Sequence, residues 1–166
     1  MVDFRRTVRH LLTSHWQVRR AFPKKSLDAI TQAIRHSESA HDGEIRFAVE
    51  SGLSGTPLYQ GKSARERAID VFSELRMWDT EHRNGVLIYL LMADRSVEIV
   101  ADRGVHAKTG TLEWEKICHA MECAFHDGNY ETGAIQGIQA VTHLLTQFFP
   151  ASGARRNELP DEIVVL

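Results

Sequence analysis

The chain reads as an α/β protein, a three-layer α/β/α sandwich around a central mixed sheet. Val86 to Ala93 is an unbroken apolar run of strand length, so both faces of that strand need cover. Glu44 to Glu50 alternates strictly, with Ile45, Phe47 and Val49 on one side. The segments around these two carry apolar residues at helical spacing, and helices above and below a doubly buried strand make three layers.

The elements follow in chain order. Phe4, Val8, Leu11 and Leu12 recur at helical spacing with Arg5, Arg6 and Arg9 between them, which predicts a short basic amphipathic helix packed against the domain or a partner. Ser26 reads as an N-cap, with Asp28 in the first turn and Leu27, Ile30, Ala33 and Ile34 as the core stripe of a helix running to about Ser39. Gly43 breaks that helix before the alternating strand. Residues 51–61 contain Gly52, Gly55, Pro57 and Gly61 and predict a loop or ragged edge strand. Ser63-Ala-Arg-Glu66 is a capping box that opens a helix with Ala68, Ile69, Phe72 and Leu75 inward.

The apolar run comes next, as the first arm of a hairpin. With Asp94-Arg95 as a two-residue loop, Gly85 lies opposite Gly104 and Leu87 opposite Asp102. Thr111 and Glu113 start a helix whose core face is Trp114, Ile117, Cys118, Met121 and Phe125, and Gly128-Asn129 ends it. A last helix runs from about Glu131 to Phe148, where Gly133 and Gly137 allow close approach to the sheet, and Pro150 stops it. Pro57–Gln60 and Ile163–Leu166 compete for the fourth strand. The organisation is an N-terminal arm over 1–25, one domain over 26–149 and a tail over 150–166.

Composition bounds the function. A chain of 166 residues, 43% hydrophobic and 25% charged, has room for one full core and little for a second. Its net charge of −2 is uneven: residues 1–25 hold seven basic side chains and one acid, a balance of +6, and the remaining 13 basic and 21 acidic residues give −8. A basic arm on an acidic body docks an anionic surface, such as a membrane leaflet or nucleic acid, or folds back onto the body. No specific nucleic-acid motif accompanies it. Cys118 and Cys123 sit on different faces of one predicted helix, so no disulfide framework is expected. The first residues lack the apolar core of a secretory signal, and no run reaches the length of a spanning helix. The expected setting is cytoplasmic, peripheral to the inner membrane if the arm docks there.

Catalytic signatures are mostly missing. The chain has no P-loop, no GxGxxG, no HExxH, no GxSxG, and no phosphatase cysteine five residues before an arginine. Glu115, His119, Glu122 and His126 share a helix face beside Cys123, but that face is opposite the apolar stripe and reads as solvated surface. Candidates gather instead at the open end of the hairpin. Asn84, Asp102, Arg103 and His106 converge there, Arg83 lies opposite His106, and His82 is adjacent. A histidine beside Asp102 suits acid or base work near neutrality, although no nucleophile is identifiable. If Glu50 ends a strand paired in parallel with Val97–Ala101, then Glu50, Asp79, Glu81 and Asp102 would offer four carboxylates to a hard cation such as calcium or magnesium.

Four blocks, GEIRFAVES, RNGVLIYL, DRSVEIVADRG and GNYETGAIQGIQAV, occur in an order and spacing that resemble the TPM domain family over about residues 26–149. The resemblance implies an α/β/α sandwich with a four-stranded sheet. It also implies acid-phosphatase activity or divalent-cation binding, attributed to some members, and a LemA-type membrane protein as partner of bacterial ones. The chain is similar to a bacterial subtype without signal peptide or trailing membrane helix. The family's site positions transfer to Asn84, Gly85 and Gly104, while Arg83 and His106 stand where the family commonly has acids.

Three functions are consistent with these residues. One is an accessory binding protein that uses His82, Arg83, Asn84, Gly85, Arg103 and Gly104 at the hairpin's open end. The second is a weak phosphatase in which Asp102 and His106 exchange protons and Arg103 holds an anion. The third is a membrane-surface protein attached through residues 4–12.

Overall fold

A computed structural model describes residues 3–153 and 157–166; the parts of the expected arm and tail at 1–2 and 154–156 lie outside the described residues. Four strands, β1 (Glu44–Glu50), β2 (Gly85–Leu91), β3 (Ser96–Ala101) and β4 (Val164–Val165), form one mixed sheet in the order β3-β2-β1-β4. β1 is parallel to both β2 and β4, and β2 is antiparallel to β3. Eight helices surround it among the described residues: α1 (Phe4–Leu12), α2 (His15–Ala21), α3 (Lys24–Ser37), α4 (Thr56–Tyr59), α5 (Ala64–Glu74), α6 (Arg103–Thr109), α7 (Thr111–His126) and α8 (Tyr130–Phe148).

The α/β/α sandwich follows from β2. Its Val86, Ile88 and Leu90 enter one core, and Leu87, Tyr89 and Leu91 enter the other, all six shut off from solvent. Over the first face, Val18 of α2, Ile30 and Ile34 of α3, Met121 and Phe125 of α7, and Ile138 and Leu145 of α8 meet Ile45, Phe47 and Val49. Over the second, Leu58 of α4 and Ala68, Val71 and Phe72 of α5 cover Ala48 and the tail's Val164 and Leu166. The capping box that starts α5 forms as expected, with Ser63 and Glu66 each accepting from the other's backbone N–H.

Several expectations are corrected. Leu91 pairs with Ser96, so the hairpin turn is the four residues Met92–Arg95, with Arg95 in the left-handed region at φ 54°. Gly85 therefore faces Asp102, whose N–H donates to the Gly85 carbonyl at 2.9 Å, rather than Gly104. The two-residue offset leaves every side chain on its expected face, because strand side chains repeat every second residue. β1 pairs with β2, not β3, and Glu50 is level with Leu91 at the closed end of the hairpin. α3 begins two residues before Ser26, after Pro23, and the Ser26 hydroxyl instead donates to Glu131 Oε2 on α8 at 2.5 Å. Gly133 and Gly137 bring α8 onto α7 rather than onto the sheet: a Cβ at Gly133 would stand 2.8 Å from the Ala124 methyl, and one at Gly137 would overlap Met121 Sδ. Val18 and Phe22 lie in the main core, so a boundary at residue 25 cuts through the packed domain. The tail supplies the fourth strand, and Pro57 sits in the first turn of α4 instead of in a strand.

β3 is an edge strand, and its outer side is closed by side chains. The Val97 N–H donates to Glu122 Oε1 at 2.9 Å, and Arg65 donates to the Ile99 carbonyl. Glu122, expected on a solvated helix face, thus blocks an edge that would otherwise template pairing with another chain. Burial pushes the neighbouring Cys118 thiol up to about 12, which keeps it an unreactive packing residue. Among the described residues no helix is long and apolar enough to cross a membrane. Glu122→Ala is expected to lower stability by about 1–2 kcal/mol through loss of a charged acceptor, while Glu122→Gln retains most of it. Urea unfolding that finds no difference between the two variants would refute the edge cap.

Candidate functional site

The open end of the hairpin is built on backbone packing. Asn84 is fully buried just before β2; its N–H donates to Thr80 Oγ1 at 3.1 Å and its side-chain amide donates to the Asp42 carbonyl at 2.8 Å. Its own carbonyl accepts from the Glu44 N–H at 3.2 Å, so one residue ties the entry of β2 to the entry of β1. A Cβ at Gly85 would overlap the Met77 carbonyl oxygen, and one at Gly104 would stand 2.6 Å from the Arg83 oxygen and 2.7 Å from that of His82. The Gly104 N–H donates to the Arg83 carbonyl at 3.1 Å, with Arg83 itself left-handed at φ 51°. Asn84, Gly85 and Gly104 are therefore required by the frame.

Asp102 is the N-cap of α6. Its Oδ1 accepts from the Arg103 N–H at 2.6 Å, and its carbonyl accepts from the N–H groups of Val105 and His106. Asp102 Oδ2 and Asn84 Oδ1 are buried without a protein donor among the described residues. The expected carboxylate quartet is not assembled. Asp79 and Glu81 are exposed on the turn before Asn84, and Glu50 lies at the other end of β1. Among the described residues no three His, Cys, Asp or Glu side chains come together as metal ligands, so these four do not form a calcium or magnesium site. His82, Arg83, Arg103 and His106 are exposed at the same end, with no side-chain partner among the described residues. Trp78, absent from the expected site, is also 55% exposed on the turn leading to Asn84. Its signal was an aromatic residue directly before a polar turn.

A TPM domain family model matches residues 19–144. The chain belongs to the TPM domain family. It is similar to the BA42 protein of the psychrophilic bacterium Bizionia argentinensis, whose NMR structure has 32% sequence identity and a TM-score of 0.73 over 86% of this chain and 93% of that one. The N-terminal domain of a P. gingivalis protein shares the fold, with 20% identity and a TM-score of 0.55 over 70% of this chain and 71% of that one. No curated protein matches the chain.

Among the described residues, the opposite end of this TPM domain holds the carboxylate with the most ionic partners. Asp94, in the hairpin turn, accepts from Arg6 Nη2 at 2.7 Å, Arg9 Nη2 at 2.8 Å and His10 Nε2 at 2.9 Å. His10 is buried, and its Nδ1 accepts from the Leu53 N–H at 2.9 Å, which leaves Nε2 as the protonated nitrogen that donates to Asp94. Gly52 admits the helix, since a Cβ there would be 2.9 Å from the His10 carbonyl oxygen. Nearby, Glu50 Oε2 accepts from Arg67 Nε at 2.9 Å and from the Tyr89 hydroxyl at 2.6 Å. Burial, with the Glu50 charge, holds the Tyr89 phenol protonated far above its ordinary range.

Helix α1 thus docks by its polar side. Phe4, Leu11 and Leu12 are 78%, 68% and 72% exposed and Val8 is half-buried, so of the two expected uses of this stripe, packing on the domain or on a partner, the first is not met. Burial disfavours the Asp94 carboxylate, but hydrogen bonds from Arg6, His10 and Arg9 outweigh it and hold the group at about 2. An unfolded aspartate titrates near 3.9, so this contribution is whole above about pH 4 and is lost as pH falls toward about 2. Asp94→Asn should cost on the order of 2 kcal/mol at neutral pH. The gap between wild type and variant in denaturant unfolding should close on acidification through that window; a gap independent of pH would show that Asp94 does not carry it.

Proposed function

We propose that this TPM domain is a cytoplasmic accessory protein that binds an acidic segment of a protein partner at the open end of the hairpin. The observation that carries the reading is the division of labour at that end. Asp102, the acid a hydrolase would need, has one carboxylate oxygen on the cap of α6 and the other shut off from solvent, whereas Arg83, Arg103, His82 and His106 stand free beside exposed Trp78 on tightly packed backbone. Arginine and tryptophan are the side chains that most often anchor protein interfaces, and a rigid frame lowers the entropy lost on binding. Replacement of the family's acids by Arg83 and His106 shifts the charge toward an anionic partner. The family resemblance makes a LemA-type membrane protein the first natural partner to try.

The test uses a synthetic glutamate-rich peptide and isotope-labelled protein. Amide shifts are expected at residues 78–84 and 102–106, and Arg83→Glu with Arg103→Glu should weaken binding about tenfold or more at unchanged thermal stability. Hydrolysis of p-nitrophenyl phosphate is measured in parallel. Turnover by the wild-type protein that disappears in both Asp102→Ala and His106→Ala would replace this reading with the phosphatase one.

A further inference from the structure

The N-terminal helix is held in an unusual sense. Its cations Arg6 and Arg9, with His10, point into the domain at Asp94, while the stripe of Phe4, Leu11 and Leu12 on the other side of the helix faces solvent. The contacts to Asp94 hold the helix this way round, and they leave in water the apolar side that would gain most from burial. The next element packs the ordinary way round but adds one exposed aromatic beside its cations. α2 buries Val18 and leaves Trp16 65% exposed, with the Arg20 guanidinium 5.6 Å from the Trp16 ring centre.

Charge identifies what the exposed side meets. Arg6 and Arg9 are occupied by Asp94 and Lys24 pairs with Asp28, but Arg5, Arg19, Arg20 and Lys25 are exposed and have no acidic partner among the described residues. Residues 26–166 carry a balance of −8 against +6 for residues 1–25, so an anionic plane attracts the arm and repels the body. Exposed Phe, Leu and Trp among Arg and Lys is the chemistry of a helix seated in the headgroup region of a bilayer. A protein partner would more often use a groove of matching shape; three apolar side chains on one short convex helix suit a fluid surface better.

We propose that residues 4–25 dock the protein, peripherally and reversibly, on an anionic lipid bilayer through Phe4, Leu11, Leu12 and Trp16 ringed by Arg5, Arg19, Arg20 and Lys25. The proposal is independent of the open-end site. It is tested by co-sedimentation of the whole protein with phosphatidylcholine vesicles, with and without phosphatidylglycerol, at low and high salt. Binding is expected only with the anionic lipid, falling as salt rises, and the fluorescence of the bound protein should shift to the blue less in Trp16→Phe. Phe4→Ser with Leu11→Ser and Leu12→Ser, all at exposed positions, should reduce partitioning about tenfold or more without lowering thermal stability, and Arg19→Glu with Arg20→Glu should do the same. Absence of wild-type binding to anionic vesicles at low salt overturns the proposal whatever the variants do. So does a wild-type dimer in solution that the triple serine variant converts to monomer, since a second copy would then cover the face.

Discussion

The burial of β2 on both faces is the constraint from which the rest of the molecule follows. Six consecutive side chains from Val86 to Leu91 are out of water, a gross contribution on the order of 10 kcal/mol. No two-layer arrangement can supply that. The chain places α3, α7 and α8 on one side and α5 on the other, and β1 and β3 flank β2 so that its backbone is paired along both edges. Where β2 leaves this dry interior, each end must be closed by polar groups that satisfy the departing backbone. The two ends solve this differently. The entry is locked by hydrogen bonds and by glycines that admit close backbone contact, and the exit by charges converging on a turn aspartate.

That difference separates the two hairpin acids. Asp102 follows β3 directly, and there an aspartate is worth most as the cap of the next helix, which consumes one oxygen and its backbone carbonyl. Asp94 sits in a turn with no helix to cap, and half-burial there would be costly without partners. It therefore recruits three cationic or donor side chains from more than eighty residues away. The residue placed most like a catalytic acid is structural in a local sense, and the one placed like an ordinary turn residue is structural in a long-range sense. What the open end displays to solvent is Trp78, His82, Arg83, Arg103 and His106, with Asp79 and Glu81 on the same turn.

Much of this was legible in the residues. The double-faced run, the alternation of Glu44–Glu50, the capping box at Ser63–Glu66 and the stripes of α7 and α8 led to the right layers, because period and burial are local signals. The hairpin register differs by two from the expected one because Asp94-Arg95 looks like a complete turn, and nothing local says that Met92 and Ala93 leave the ladder. Ser26 has the residue type of a cap, yet the helix starts at Lys24, and the carbonyl of extended Pro23 accepts its first backbone hydrogen bonds from Ser26 and Leu27. The glycines of α8 indicated close approach correctly but not toward which neighbour, since spacing gives a face and not its partner. Glu122 on the edge of β3 and His10 on Asp94 depend on contacts between distant segments, and no spacing rule reaches them. In the candidate site, Asn84, Gly85 and Gly104 were legible as a frame, whereas the carboxylate quartet failed because Glu50 lies at the other end of its strand.

The arm shows why the orientation of an amphipathic helix cannot be read from its pattern alone. Periodicity defines an axis through α1; which end of that axis faces inward is decided by what the domain offers. Turning Phe4, Leu11 and Leu12 inward would gain on the order of 5 kcal/mol of burial. It would also strand the Asp94 carboxylate in the turn and break charged hydrogen bonds from Arg6, Arg9 and His10, each worth about 1.5–3 kcal/mol. The two quantities are similar, and loss of the partners of a half-buried charge tips the balance toward docking by the cations. The helix then carries its unrealised apolar burial on the outside, beside free arginines, where a bilayer interface can recover it without disturbing a single contact to Asp94.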